Sequence, residues 1–153
     1  MIINRNLRFG ISAIAILTGM AMANAHEKHS DYSAGEPGNP KQPSREIVVL
    51  MSEMDYTPSK IEVKRGEQIR FVIRNVGSES HEFLLASTVD NLKHAEQMKK
   101  NPDMEHDEPN GVKLAPNKAG EILWKFTKVG SFEYSCLIPT HRELGMIGKI
   151  VVK

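Results

Sequence analysis

An all-β domain, a sandwich or a small barrel, is what the sequence predicts, and three observations predict it. Short β-rich apolar runs recur from Glu46 to the C-terminus, each bounded by Gly, Pro, Asn or Ser. Where phase can be read, one face of a run is apolar and the other polar: Phe132, Tyr134 and Cys136 share a face, while Ser131, Glu133 and Ser135 take the other. The composition, 40% hydrophobic and 25% charged, suits one domain with one core. It fits neither a disordered chain nor a channel of several apolar spans. A net charge of +1 gives no reason to invoke nucleic acid.

Taken in order, the first 25 residues stand outside the fold. Asn4 to Arg8 is basic and free of acids, Ile11 to Ala23 is a short apolar run, and Ala23 and Ala25 place small residues before a cleavage point. That is a secretory signal peptide. The run is shorter than the ~20 residues a spanning helix needs, so the mature form is expected to have no membrane span. Without residues 1–25 the charge balance becomes 18 basic to 19 acidic. His26 to Ser44 is rich in Gly, Pro and polar residues, and residues 26–44 read as a flexible tail. The folded domain is expected over 45–153.

The strands expected there are Ile47 to Met51, Ile61 to Val63, Gln68 to Asn75, His81 to Ala86, Glu121 to Thr127, Ser131 to Cys136 and Met146 to Lys153. About seven short strands in this length make a sandwich or small barrel. Between Ser87 and Lys118 the pattern breaks. Val89 to Lys100 reads as a helix with Asp90 as N-cap and Asn101-Pro102 as its stop. An acidic polar loop follows it, long enough to expect a function.

The chemistry lies near the C-terminus. Cys136, His141 and Met146 fall in one loop with four residues between successive members, and His81 stands upstream at the start of a strand. Cys136 is in phase with Phe132 and Tyr134, Met146 with Ile150 and Val152, His81 with Phe83 and Leu85. All three therefore point toward the core from strand ends, and His141 is left to cap them from the loop. Two imidazoles, a thiolate and a thioether form the ligand set of a type 1 copper site, a His₂Cys plane with a weak axial Met. The soft sulfurs suit Cu(I) and the imidazoles accept Cu(II), so a stiff scaffold serves both states.

With Asn75-Val-Gly77-Ser-Glu-Ser-His81 upstream, the Cys136-His141-Met146 loop resembles that of the cupredoxins, above all the auracyanin- and rusticyanin-like members. The resemblance covers roughly Glu46 to Lys153 and implies a Greek-key β-sandwich with a helix-containing insertion between strands. It implies His81, Cys136, His141 and Met146 as copper ligands. Many cupredoxins carry Asn directly after the first ligand His, bridging to the Cys loop; here the residue is Glu82.

Other chemistries lack their residues. A single Cys excludes a disulfide framework and a binuclear copper site bridged by two thiolates. A core-facing Cys136 argues against a Cys–His hydrolase, and structural zinc favours more thiolates. No His-x-His pair occurs, as a multicopper oxidase would need. No catalysis by this chain alone is expected. His26, His29, His94, Met98, Met104 and His106 remain as accessory candidates for additional, weakly bound copper, each with packing or solvation as the plain alternative.

Two functions share the four ligands. One is copper handling in the periplasm, resembling copper-tolerance cupredoxins; the other is a one-electron carrier for a redox partner that the sequence does not name. A carrier should show an apolar patch by its exposed ligand His, which Leu137, Ile138, Pro139 and Leu144 could supply, with Arg142 and Glu143 at the rim; such a patch suits both readings and does not decide between them. The protein is expected to be a monomer, and copper handling is the favoured reading.

Overall fold

The computed structural model describes residues 31–101 and 108–153. The leading 25 residues, and with them His26, His29, Met104 and His106, lie outside that range. Among the described residues, ten strands form two sheets facing each other, and there is one helix. The first sheet contains β1 (Glu36–Pro37), β2 (Arg45–Ser52), β3 (Asp55–Thr57), β5 (Gln68–Asn75) and β8 (Ala119–Lys125), in the order β1-β8-β5-β2-β3. The second contains β4 (Lys60–Val63), β6 (His81–Ala86), β7 (Gly111–Leu114), β9 (Gly130–Ser135) and β10 (Ile147–Val152), in the order β4-β10-β9-β6-β7. β2 pairs parallel with β5, and β10 with β4, so the chain crosses repeatedly between sheets as a Greek-key sandwich does.

Alternation decides which side chains meet between the sheets. Phe71 and Ile73 of β5 and Trp124 of β8 face Phe83 of β6, Tyr134 of β9 and Ile150 of β10, and all are buried in one cluster. The Phe83 and Tyr134 rings stack with centroids 4.9 Å apart. Gly148 of β10 lies opposite Tyr134 in the register, and a Cβ there would fall 1.9 Å from the Tyr134 ring. The aromatic ring therefore requires a glycine across the strand pair.

The strands expected from the sequence are all present, and three short ones join them: β1, β3 and β7. The helix α1 (Thr88–Lys100) begins one residue early, and its N-cap is Ser87 rather than Asp90. Ser87 Oγ accepts from the Asp90 backbone N–H at 3.1 Å, and the Ser87 hydroxyl donates to the Asp90 carboxylate at 2.7 Å. Asp90 thus completes the cap from inside the first turn, where its charge also suits the helix dipole. Residues 31–44, expected within a flexible tail, pack on the domain. Ala34 is fully buried, Tyr32 meets Trp124 edge-on at 5.3 Å, and β1 pairs with β8.

α1 also changes the character of β6. A sandwich strand should be buried on one face, but all six residues of β6 are buried. Asn91 and Met98 are the buried residues of α1, and Met98 clusters with Leu84 and Leu137 on the outer face of the second sheet. No helix among the described residues is long and apolar enough to cross a membrane.

Candidate metal centre

One end of the second sheet brings the sequence-predicted residues together. His81 opens β6, Cys136 follows β9, and Met146 precedes β10. The Cys136 backbone N–H donates to the Met146 carbonyl at 3.2 Å, extending the β9–β10 pairing by one step. The nine-residue excursion between them is wound by its own backbone: His141 N–H to the Ile138 carbonyl at 3.1 Å, Leu144 to Thr140 at 3.0 Å, and Met146 to His141 at 3.1 Å. Gly145 permits the last turn with φ of 105°. On the other side Asn75, buried, holds the segment leading to His81. Its amide donates to the Glu79 and Leu114 carbonyls at 2.7 and 2.9 Å and accepts from Gly77 N–H at 3.0 Å.

The ligating atoms of His81, Cys136 and His141 all lie within 4.8 Å of one another, and all three residues are buried. Among the described residues this is the one such group of His, Cys, Asp or Glu. Cys136 Sγ lies 3.3 Å from His141 Nδ1, and the two imidazoles are 5.2 Å apart between centroids. Met146 is fully buried in the same core.

The donor set fits a soft-to-borderline metal. Both ring nitrogens of His81 are buried without a hydrogen-bond partner, a costly arrangement for an imidazole with nothing to bind. Burial, and then the neighbouring His141, hold His81 below its usual pKa, so it is neutral and able to ligate. Burial pushes the Cys136 thiol up to about 11 despite hydrogen bonds from the Glu82 and Ile138 backbone. A cation must therefore displace the Cys136 proton to gain the thiolate. Glu79 places a carboxylate oxygen 3.5 Å from His141 Nε2, on the side away from Cys136. Such a partner orients a ligating imidazole.

Glu82 takes up the bridging place noted in the sequence. Its backbone N–H donates to Cys136 Sγ at 3.4 Å, and its buried carboxylate accepts from Leu137 N–H at 3.2 Å. The Tyr56 hydroxyl donates to the Glu82 carbonyl.

The structure keeps the apolar patch in part, with Pro139 exposed and Ile138 partly buried. Leu137 is 2% exposed beneath Met98, and Arg142 is turned inward to a buried ion pair with Glu133 rather than standing at a rim. Leu144 remains exposed, while His141 is 6% exposed. The accessory candidates separate as well. Met98 is a packing residue, and His94 lines a cleft with Asp31, Asp90, Glu108 and Asn110 away from the three-residue cluster.

These features define a copper protein of the cupredoxin class with a type 1 site. The family model of copper binding proteins, plastocyanin/azurin family, matches residues 45–153, and the chain belongs to that family. It is 46% identical over 136 residues to the copper-resistant cuproprotein CopI of Rubrivivax gelatinosus, covering 88% of this chain and 82% of that one. It is 32% identical to CopI of Pseudomonas aeruginosa, covering 97% of each chain. Auracyanin from Roseiflexus castenholzii superposes with a TM-score of 0.62 over 73% of this chain and 99% of the other, at 18% identity, and so shares the fold.

Proposed function

We infer that the chain is an exported copper-tolerance protein in which His81, Cys136, His141 and Met146 would hold one redox-active copper. The carrying observation is the buried cluster of His81, Cys136 and His141, with both His81 nitrogens left for a metal. The relatives named as copper-resistant cuproproteins support the tolerance role, and the signal-like residues 1–25 support export to the periplasm.

When bound, copper supplies a one-electron couple; the chain's residues make the couple usable. Cys136 gives up its proton and offers the thiolate. His81 and His141 hold imidazole nitrogens in place from a strand and a loop, and Glu79 steadies the outer nitrogen of His141. The buried Met146 thioether would add a soft donor, which disfavours a hard, highly coordinated ion. Cys136 itself is fully buried in the core cluster that holds Phe83, Tyr134 and Tyr56. The electron-carrier reading shares the four ligands, and exposed Leu144 and Pro139 with partly buried Ile138 would serve either function, so the names of the relatives tip the reading. The balance lies with copper handling.

The test is colour and count. Protein loaded with Cu(II) is expected to absorb strongly in the visible by thiolate-to-copper charge transfer, and Cys136→Ser to abolish the band. Cells lacking the gene are expected to regain copper tolerance from the wild type and not from Cys136→Ser. A wild-type protein that stays colourless at one copper per chain overturns the reading.

A further inference from the structure

Between the second sheet and α1 lies an ion pair that the four-ligand reading leaves without a task. Arg142, directly after His141, places Nη1 2.6 Å from Glu133 Oε1, with the two side chains 12% and 10% exposed. The same nitrogen donates to Ser135 Oγ at 2.5 Å. Glu133 accepts further from Ser135 Oγ at 3.2 Å, from Asn91 Nδ2 at 3.2 Å and from Thr88 Oγ1 at 3.0 Å. Asn91 and Thr88 belong to α1, Glu133 to β9, and Arg142 to the loop bearing His141. The network runs without a gap from the helix to the residue beside a ligand.

Two more contacts join the same elements. Met98 packs with Leu137, the neighbour of Cys136, and Lys99 Nζ lies 3.5 Å from Glu143 Oε1. The second is exposed and worth little. The buried pair is different. Desolvating two charges costs more than an apolar pair of similar volume would, so stability alone does not account for it. A planar guanidinium fixed by a carboxylate and a hydroxyl does, however, immobilise the peptide next to His141.

We propose that Arg142 and Glu133 are positioning residues that fasten the Cys136–His141 turn to α1 and so set how tightly the site keeps its copper; this rests on the ligand assignment above. The helix insertion is then part of the metal centre without touching it. A loop held in its binding shape before copper arrives needs no ordering on binding, and it cannot swing His141 away to let copper leave.

The experiment compares copper-loaded wild type with Glu133→Gln, Arg142→Met, Arg142→Lys and, as an exposed control, Lys99→Ala. Visible and electron paramagnetic resonance spectra are recorded, the protein is reduced, and Cu(I) transfer to a chromophoric chelator is timed. Apo-protein unfolding in urea is measured alongside. Glu133→Gln and Arg142→Met are expected to release Cu(I) about 10–100-fold faster than wild type, with altered copper spectra. Arg142→Lys is expected to recover part of the loss, and Lys99→Ala to match wild type. Lower urea midpoints with unchanged spectra and release rates would mark the pair as merely structural and overturn the proposal. If Arg142→Met does not fold, the near-isosteric Glu133→Gln decides between the same outcomes. A wild type without the thiolate band takes down the ligand assignment and this proposal together, whereas a wild-type band with unchanged variants overturns this proposal alone.

Discussion

The carboxylate of Glu82 accepts a hydrogen bond from the backbone N–H of Leu137 at 3.2 Å, so the residue after one histidine of the site holds the residue after its cysteine. The Glu82 N–H points at Cys136 Sγ from 3.4 Å, making the link twofold. A carboxylate reaches the Cys loop here from the position where many cupredoxins use an amide.

Glu82→Ala leaves the buried Leu137 N–H without an acceptor. The expected cost is about 1–3 kcal/mol in chemical unfolding. Glu82→Gln keeps an acceptor oxygen at the same reach and is expected to recover most of that loss. Equal stabilities for the Ala variant and wild type would show that the bridge holds nothing.

Met146→Leu is expected to keep copper bound and raise the reduction potential. Losing a weak thioether donor disfavours Cu(II) more than Cu(I). Voltammetry reads each tenfold change in that preference as about 59 mV. An unchanged potential would remove Met146 from the ligand set.

Copper binding is expected to release a proton from Cys136. Its thiol is pushed up to about 11 by burial, so at neutral pH the free protein holds the proton and the copper form does not. His81, held below its usual value, is already neutral at pH 7 and contributes no proton there. Affinity should therefore rise by about tenfold per pH unit through neutrality on account of Cys136. Titration calorimetry in buffers of differing ionisation heat measures the released proton directly, and no release at pH 7 would contradict a thiolate ligand.

Much of the site was legible because strand phase is a local property. The alternation of Phe132, Tyr134 and Cys136 predicts their common face, and the structure buries all three. β1, β3 and β7 span two, three and four residues, too few for alternation to show. The double burial of β6 has no local signal, since Leu84 is covered by Met98 of α1 and Glu82 is held against the Leu137 backbone, both contacts remote in sequence. Arg142 reads as a rim residue for the same reason. Its partner Glu133 lies nine positions earlier on a face that the strand pattern marks as open to water, and only the helix closes that face. The cap moved from Asp90 to Ser87 because both residues join one reciprocal arrangement, and spacing alone does not say which holds the outer place.

β1 has a consequence out of proportion to its two residues. It sits on the outer edge of β8, with Glu36 opposite Lys125 and Pro37 opposite Trp124, and Gly38 N–H reaches the Leu123 carbonyl at 2.8 Å. A strand edge left open is a template on which another chain can pair, and a proline-containing cover blocks that growth. A shortened protein beginning at Pro43 would lose the cover and the Tyr32–Trp124 contact together. Such a truncation exposes a row of backbone groups to self-association, so crystallisation or biosensor versions of this molecule should begin no later than Asp31.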